Sequence, residues 1–159
     1  MTNTPGKKRT DAASRVIKAS PHHIYKALID PEAQVVWLPP KGMKCHIFEF
    51  DVREGGAYRM SLTYLQPDSA TQGKSSEDTD IVQGRFLECI PDERLVQLAE
   101  FQSDDPAYAG EMIMTWSLAA APEGTLVTIV CENVPEGIRK EDHDEGLRSS
   151  LENLAEYVE

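Results

Sequence analysis

The chain has 159 residues, with 16 Lys and Arg against 27 Asp and Glu and a formal net charge of -11. That length suits one domain with a core large enough to fold without disulfides or metal, and so acidic a surface repels a phosphate backbone, so nucleic acid is not the expected partner. The three cysteines, Cys45, Cys89 and Cys131, are odd in number and far apart, with no CxxC spacing for zinc or redox chemistry, so a reducing cytoplasm is the expected setting.

Residues 1–13 are polar, with Lys7, Lys8 and Arg9 but no apolar run behind them, and are expected to form a disordered tail rather than a signal peptide. A single domain is expected over 14–159, and no run in it is long and apolar enough to insert into a membrane. Residues 14–19 include Val16 and Ile17 and read as a strand. Ser20-Pro21 then supplies an N-cap and a proline for the first helical position. Ile24, Tyr25, Leu28 and Ile29 share one face of a short helix ending near Asp30. Asp30-Pro31 repeats the signal for a second short helix through Trp37, and Pro39-Pro40 stops it because neither ring nitrogen can donate to the ladder.

From residue 46 to 133 the pattern alternates, as in half-buried strands. Phe48 and Phe50 alternate with acidic residues, and Tyr58, Met60, Leu62 and Tyr64 alternate with polar ones. Gly55-Gly56 reads as a turn needing positive φ, 66–79 as a polar mobile connection, and Pro91-Asp92-Glu93 as a tight turn. Met112, Met114, Trp116 and Leu118 form a further alternating set, turned at Glu123-Gly124 into a last strand over 125–133. Helical spacing then returns: Leu147, Leu151, Leu154, Ala155 and Val158 make one apolar stripe. The order is strand, two short helices, six strands and a long helix, an α+β arrangement with helices on one face of an antiparallel sheet.

Two of these segments carry more than turn geometry. Gly55-Gly56-Ala57-Tyr58-Arg59, and Gly84 and Phe86 followed by Glu88, Ile90-Pro91 and Glu93-Arg94-Leu95-Val96, resemble the C-terminal-domain family of activators of heat-shock protein 90 ATPase, within the SRPBCC/START-like helix-grip superfamily. The resemblance spans roughly residues 14–158. It implies a curved antiparallel sheet of about seven strands wrapped around a long C-terminal helix, two short helices after the first strand, and a space between sheet and helix. It leaves activity open, because the superfamily includes lipid carriers, cyclases and chaperone cofactors.

On that fold the alternation places Tyr58, Met60, Leu62, Phe86, Met112, Met114 and Trp116 on the inner side of the sheet, facing Leu147 and Leu151, with Trp37 nearby. Such a wall suits an apolar ligand. It equally suits a filled core, since methionines both mould around ligands and plug gaps. Glu88 shares strand parity with Phe86, so it either points inward as a general-acid candidate or pairs at the rim with Arg59 or Arg94. His143, one turn before Leu147, either joins the inner face, where it could orient a polar group or move a proton, or stands in solvent among Glu141, Asp142, Asp144 and Glu145. That cluster lacks the spacing of a metal site.

The leading expectation is non-enzymatic binding of a small hydrophobic molecule, with no cofactor. The second is a chaperone-binding or other protein-interaction module acting through the acidic stretch 136–145 and the loop 66–79. The third is a cyclase-like or hydrolytic enzyme using His143, Glu88 or Tyr58, although no GxSxG, Walker or GxGxxG loop is present. Monomer and homodimer both fit, since an exposed edge strand suffices for the latter.

Overall fold

Two side-chain caps organise the first third of the chain. In the computed structural model, which describes residues 9–40, 42–65 and 79–159, the Ser20 hydroxyl accepts from the His23 N–H at 3.1 Å and starts α1 (Pro21–Ile29). The Asp30 carboxylate accepts from the Glu32 N–H at 2.9 Å and starts α2 (Pro31–Trp37). Each cap satisfies an N–H that the helix cannot, and each is followed by proline at the position where a missing N–H costs nothing. Ile24, Tyr25, Ala27 and Leu28 of α1 and Ala33 and Trp37 of α2 are buried.

The strand β1 (Arg9–Ile17) precedes these helices. After them come β2 (Met43–Phe50), β3 (Ala57–Tyr64), β4 (Thr79–Ile90), β5 (Arg94–Phe101), β6 (Met112–Ala121), β7 (Gly124–Val134) and the long helix α3 (Lys140–Val158). All seven strands form one antiparallel sheet in the order β1-β7-β6-β5-β4-β3-β2. Strands β1 and β2 are consecutive, yet they occupy opposite edges, so α1 and α2 must cross the sheet between them. Register shifts between Arg9 and Asp11, Ile47 and Glu49, and Phe86 and Glu88 bend individual strands and help the sheet curl. The core lies between the concave face and α3, whose Leu147, Leu151, Leu154, Ala155 and Val158 are all buried.

The first strand corrects the expected boundary of the tail. It begins at Arg9, so residues 9–13 belong to the sheet, paired with β7 through Asp11 and Cys131, Ala12 and Val130, and Ala13 and Ile129. The segment reads as a tail because it carries no large apolar residue and its one fully buried position is Asp11. The earlier tail residues, 1–8, and the polar connection 66–78 lie outside the described residues.

The Gly55-Gly56 turn ties two strands directly: the Gly55 N–H donates to the Phe86 carbonyl at 2.8 Å, and the Phe86 N–H to the Gly56 carbonyl at 2.9 Å. Gly55 has the expected positive φ of 85°. Gly56 is required for another reason, because a Cβ there would sit 2.0 Å from the Asp51 carbonyl oxygen. The Pro91-Asp92-Glu93 turn places Asp92 at φ 64°, a conformation Asp tolerates better than most residues.

Candidate functional site

The concave face divides into a packed end and a looser end. At the packed end Trp37 and Trp116 meet edge to face at 5.5 Å between ring centroids, and the Trp37 indole N–H donates to the Ala27 carbonyl at 3.0 Å. Phe86, with no exposed surface, lies 5.4 Å from Phe50 and 5.2 Å from Tyr58. The Tyr58 hydroxyl donates to the Leu98 carbonyl at 2.9 Å, and burial raises its pKa, with a further push from Cys131. Met60 and Met112, on the side of the Phe86–Gln97–Met114 row away from Trp116, and Leu147 and Leu151 of α3 are buried as well.

The looser end is reached through one transverse row of the sheet. Register aligns Phe86 with Gln97, Gln97 with Met114, Met114 with Cys131 and Cys131 with Asp11. Gln97 faces inward: its neighbours but one, Leu95 and Ala99, belong to the core cluster, whereas adjacent Leu98 does not. It is 5% exposed, and among the described residues its amide makes no hydrogen bond. The amide is not sealed either, since the one fully enclosed, unpartnered side-chain polar atom among those residues is Gln34 Oε1. Beside it Met114, inward and in mid-sheet, is only half-buried. The row therefore borders accessible space just where an amide lacks a partner. Leu62 and Tyr64 of β3, Phe101 of β5 and Tyr108 are half-buried at the same end of the sheet.

At the other end of the row is a charged cluster. The Asp11 side chain is wholly buried and accepts from His143 Nδ1 at 2.7 Å, from Arg9 Nε at 3.0 Å and from Lys140 Nζ at 3.3 Å. Burial alone would raise the Asp11 carboxyl; the hydrogen bonds from His143 and Arg9, with their charges, outweigh it and hold the group below the usual carboxylate range. Arg9 also donates to the Ile138 carbonyl, and Lys140 pairs with Asp144 at 3.2 Å. His143, with 15% of its side chain exposed, thus joins the inner assembly instead of standing in solvent. Its partner was hidden in the polar N-terminal stretch, 132 residues away.

Other candidates fall elsewhere. Leu87 is an extra residue in the ladder, because Phe86 pairs with Gln97 and Glu88 with Val96. The bulge reverses the parity of the strand beyond it, so Glu88 turns outward and pairs with Arg94 at 2.5 Å. That is the rim ion pair, not a buried general acid. Burial pushes the Cys131 thiol up to about 12, with a contribution from Asp11, and the Cys45 thiol up to about 11; neither is an activated nucleophile. No group of metal-binding residues occurs among the described residues. Two open hollows lie outside the grip. One of about 410 Å³ is bordered by α2 and β2, including Val35, Ile47 and Phe48, and one of about 460 Å³ by α1 and the end of α3, including His23 and Tyr157.

One long helix held in the concave face of a seven-stranded antiparallel sheet, with two short helices bridging its edge strands, defines a helix-grip domain. The chain belongs to the family described as Activator of Hsp90 ATPase homolog 1-like protein, whose model matches residues 18–159. It is 36% identical to protein CV1439 from Chromobacterium violaceum, a solved structure, with 94% of this chain and 96% of that chain covered and a TM-score of 0.82. A Rhodobacter sphaeroides protein shares the fold at 21% identity, covering 95% of this chain and 92% of that one, with a TM-score of 0.75. An AHSA1-like protein from Aeromonas hydrophila does so at 15% identity, covering 94% and 92%, with a TM-score of 0.70. No curated protein matches the chain.

Proposed function

We propose that this chain binds a small hydrophobic molecule, without turning it over, between the sheet and the first half of α3. The observation that carries the reading is the unpartnered Gln97 amide beside half-buried Met114 in the middle of the concave face. Because that amide is not sealed from solvent, a ligand seated against it must replace water as its partner or leave it unsatisfied at a cost of about 1–3 kcal/mol. Apolar walls with few polar anchors are what such ligands require. Tyr58 and Glu88 are committed to the Leu98 carbonyl and Arg94, which leaves little for a catalytic reading to use. Native mass spectrometry of gently purified protein, followed by a screen of apolar compounds, should show one bound molecule per chain. Absence of any bound species and of any thermal shift across the screen would remove the reading.

Membership of the activator-like family supports a second reading, in which a chaperone docks on the acidic surface around Glu136 and Glu141. Capture of a purified chaperone should then weaken with added salt and after Glu136→Lys with Glu141→Lys; unchanged capture would exclude this surface. The expected cytoplasmic setting belongs to the same proposal. It is supported by three free cysteines, and no described helix is long and apolar enough to cross a membrane.

A further inference from the structure

Strand β2 ends the sheet, so among the described residues one side of its backbone has no strand beside it. Which of its groups face that side follows from the bonds at the two ends of the β2–β3 pair. The Leu65 N–H donates to the Gly42 carbonyl at 2.8 Å, and the Asp51 N–H to the Ala57 carbonyl at 2.9 Å. Bonded and non-bonded positions alternate along an antiparallel ladder. Counting inward from each end, Lys44, His46 and Glu49 bond to β3, while Cys45, Ile47 and Phe50 turn their N–H and C=O outward. Phe48, the extra residue at the register shift, takes up the change of phase. Met43, the first outward position, agrees: its N–H donates to the Pro40 carbonyl at 3.0 Å. The hollow of about 410 Å³ lies along this edge, between Pro31, Glu32 and Val35 of α2 and residues 46–50 of β2. Val35 and Phe48 are exposed apolar side chains. The formally charged lining residues, Glu32 and Glu49, are both acidic and stand in no ion pair among the described residues. Arg59, opposite Glu49 in register, lays its guanidinium over the Phe48 ring, 5.0 Å from the centroid, and donates to Gln102 instead.

We propose that this groove takes a short extended segment of a partner protein, paired edge-on with Cys45 and Ile47, apolar at alternate positions and flanked by Lys or Arg that meet Glu32 and Glu49. Main-chain bonds to a free edge give such a segment its register, and pockets for alternate side chains select it. Pro31, Val35 and Phe48 supply the apolar wall. The extra residue Phe48 interrupts the edge, which disfavours a long flat strand and suits a short one. A second copy of the chain is the poorer occupant, since it brings the same two carboxylates and a further net charge of -11. The surface lies outside the grip, so it does not depend on what the grip holds.

The test is an NMR titration of the full chain with a short peptide, capped at both ends, that alternates valine and threonine between two terminal lysines. It should bind about tenfold more tightly than the same peptide with terminal glutamates, and Glu32→Lys with Glu49→Lys should reverse that order. Hydrogen exchange at the Cys45 and Ile47 amides should slow on binding, and N-methylation of the peptide's central amides should abolish binding. Binding that ignores N-methylation or leaves those two amides unprotected overturns the proposal, as does failure of both peptides to bind. Protection of the same amides that rises with chain concentration in the absence of peptide assigns the edge to a second copy and likewise overturns it. Glu32 and Glu49 are exposed, so the charge-reversed variant should fold; Val35→Asp, on the facing wall, serves as the second variant and should weaken both peptides.

Discussion

Asp11 shows how much can depend on a residue that looks incidental. A carboxylate with no exposed surface is tolerated because Arg9, His143 and Lys140 surround it, and these contacts join the start of β1 to the first turn of α3. Asp11→Ala should cost about 2 kcal/mol by removing charge-assisted hydrogen bonds, read as a lower urea midpoint with unchanged slope. The pH dependence follows from the direction of its shift. A carboxyl whose pKa is lower folded than unfolded binds fewer protons in the native state between the two values. Its contribution is therefore complete above the unfolded value near 3.8 and is lost as pH falls through the folded one. The gap in stability between the parent and Asp11→Ala should be wide at about pH 6 and narrow toward about pH 3; a gap independent of pH would separate the stabilisation from the carboxylate's charge. The cluster was only half legible in the sequence. His143 stood out as a candidate, but spacing along the chain says nothing of a partner 132 residues away.

Among the elements, α3 holds the two ends of the fold together. Its apolar stripe was plain from the spacing of Leu147, Leu151, Leu154, Ala155 and Val158, all of them buried. Less plain was its side contact: Ser150 Oγ donates to the Leu38 carbonyl at 2.7 Å and Asn153 Nδ2 to the Pro39 carbonyl at 3.0 Å. These bonds satisfy carbonyls just after α2 that Pro39-Pro40 leaves without helical partners, so Asn153 belongs to an interface and not to a purely solvated face. Leu154→Ala, at a position with no exposed surface, should cost about 3 kcal/mol by cavity formation, measured by denaturant unfolding. A cost below about 1 kcal/mol would mean that the helix relaxes into the gap. On β4 the local pattern misleads. Alternation placed Glu88 with Phe86, but the bulge at Leu87 sends it to the opposite face. A single inserted residue in a ladder leaves no mark in the hydrophobic pattern.

For the whole molecule, the balance is between a filled grip and an open one. Aromatic contacts close the Trp37 and Phe86 end, while partial exposure is kept at Met114 and His143. A ligand binding only the folded state at a concentration about 100 times its Kd would add about 2.7 kcal/mol, a rise of roughly 5–10 °C in Tm for a domain of this size. That thermal shift gives the ligand screen a second readout. The chain's own pattern determined the α+β class, both helix caps, the turns at Gly55 and Pro91 and most inward-facing residues, because these depend on neighbours a few positions apart. Tertiary structure alone decided that residues 9–13 are a strand, that Glu88 faces out, that His143 meets Asp11 and that Gln97 lies buried on the inner face. Each of those depends on which strands become neighbours, and pairing between distant segments is set by the strand order of the whole sheet and not by local spacing.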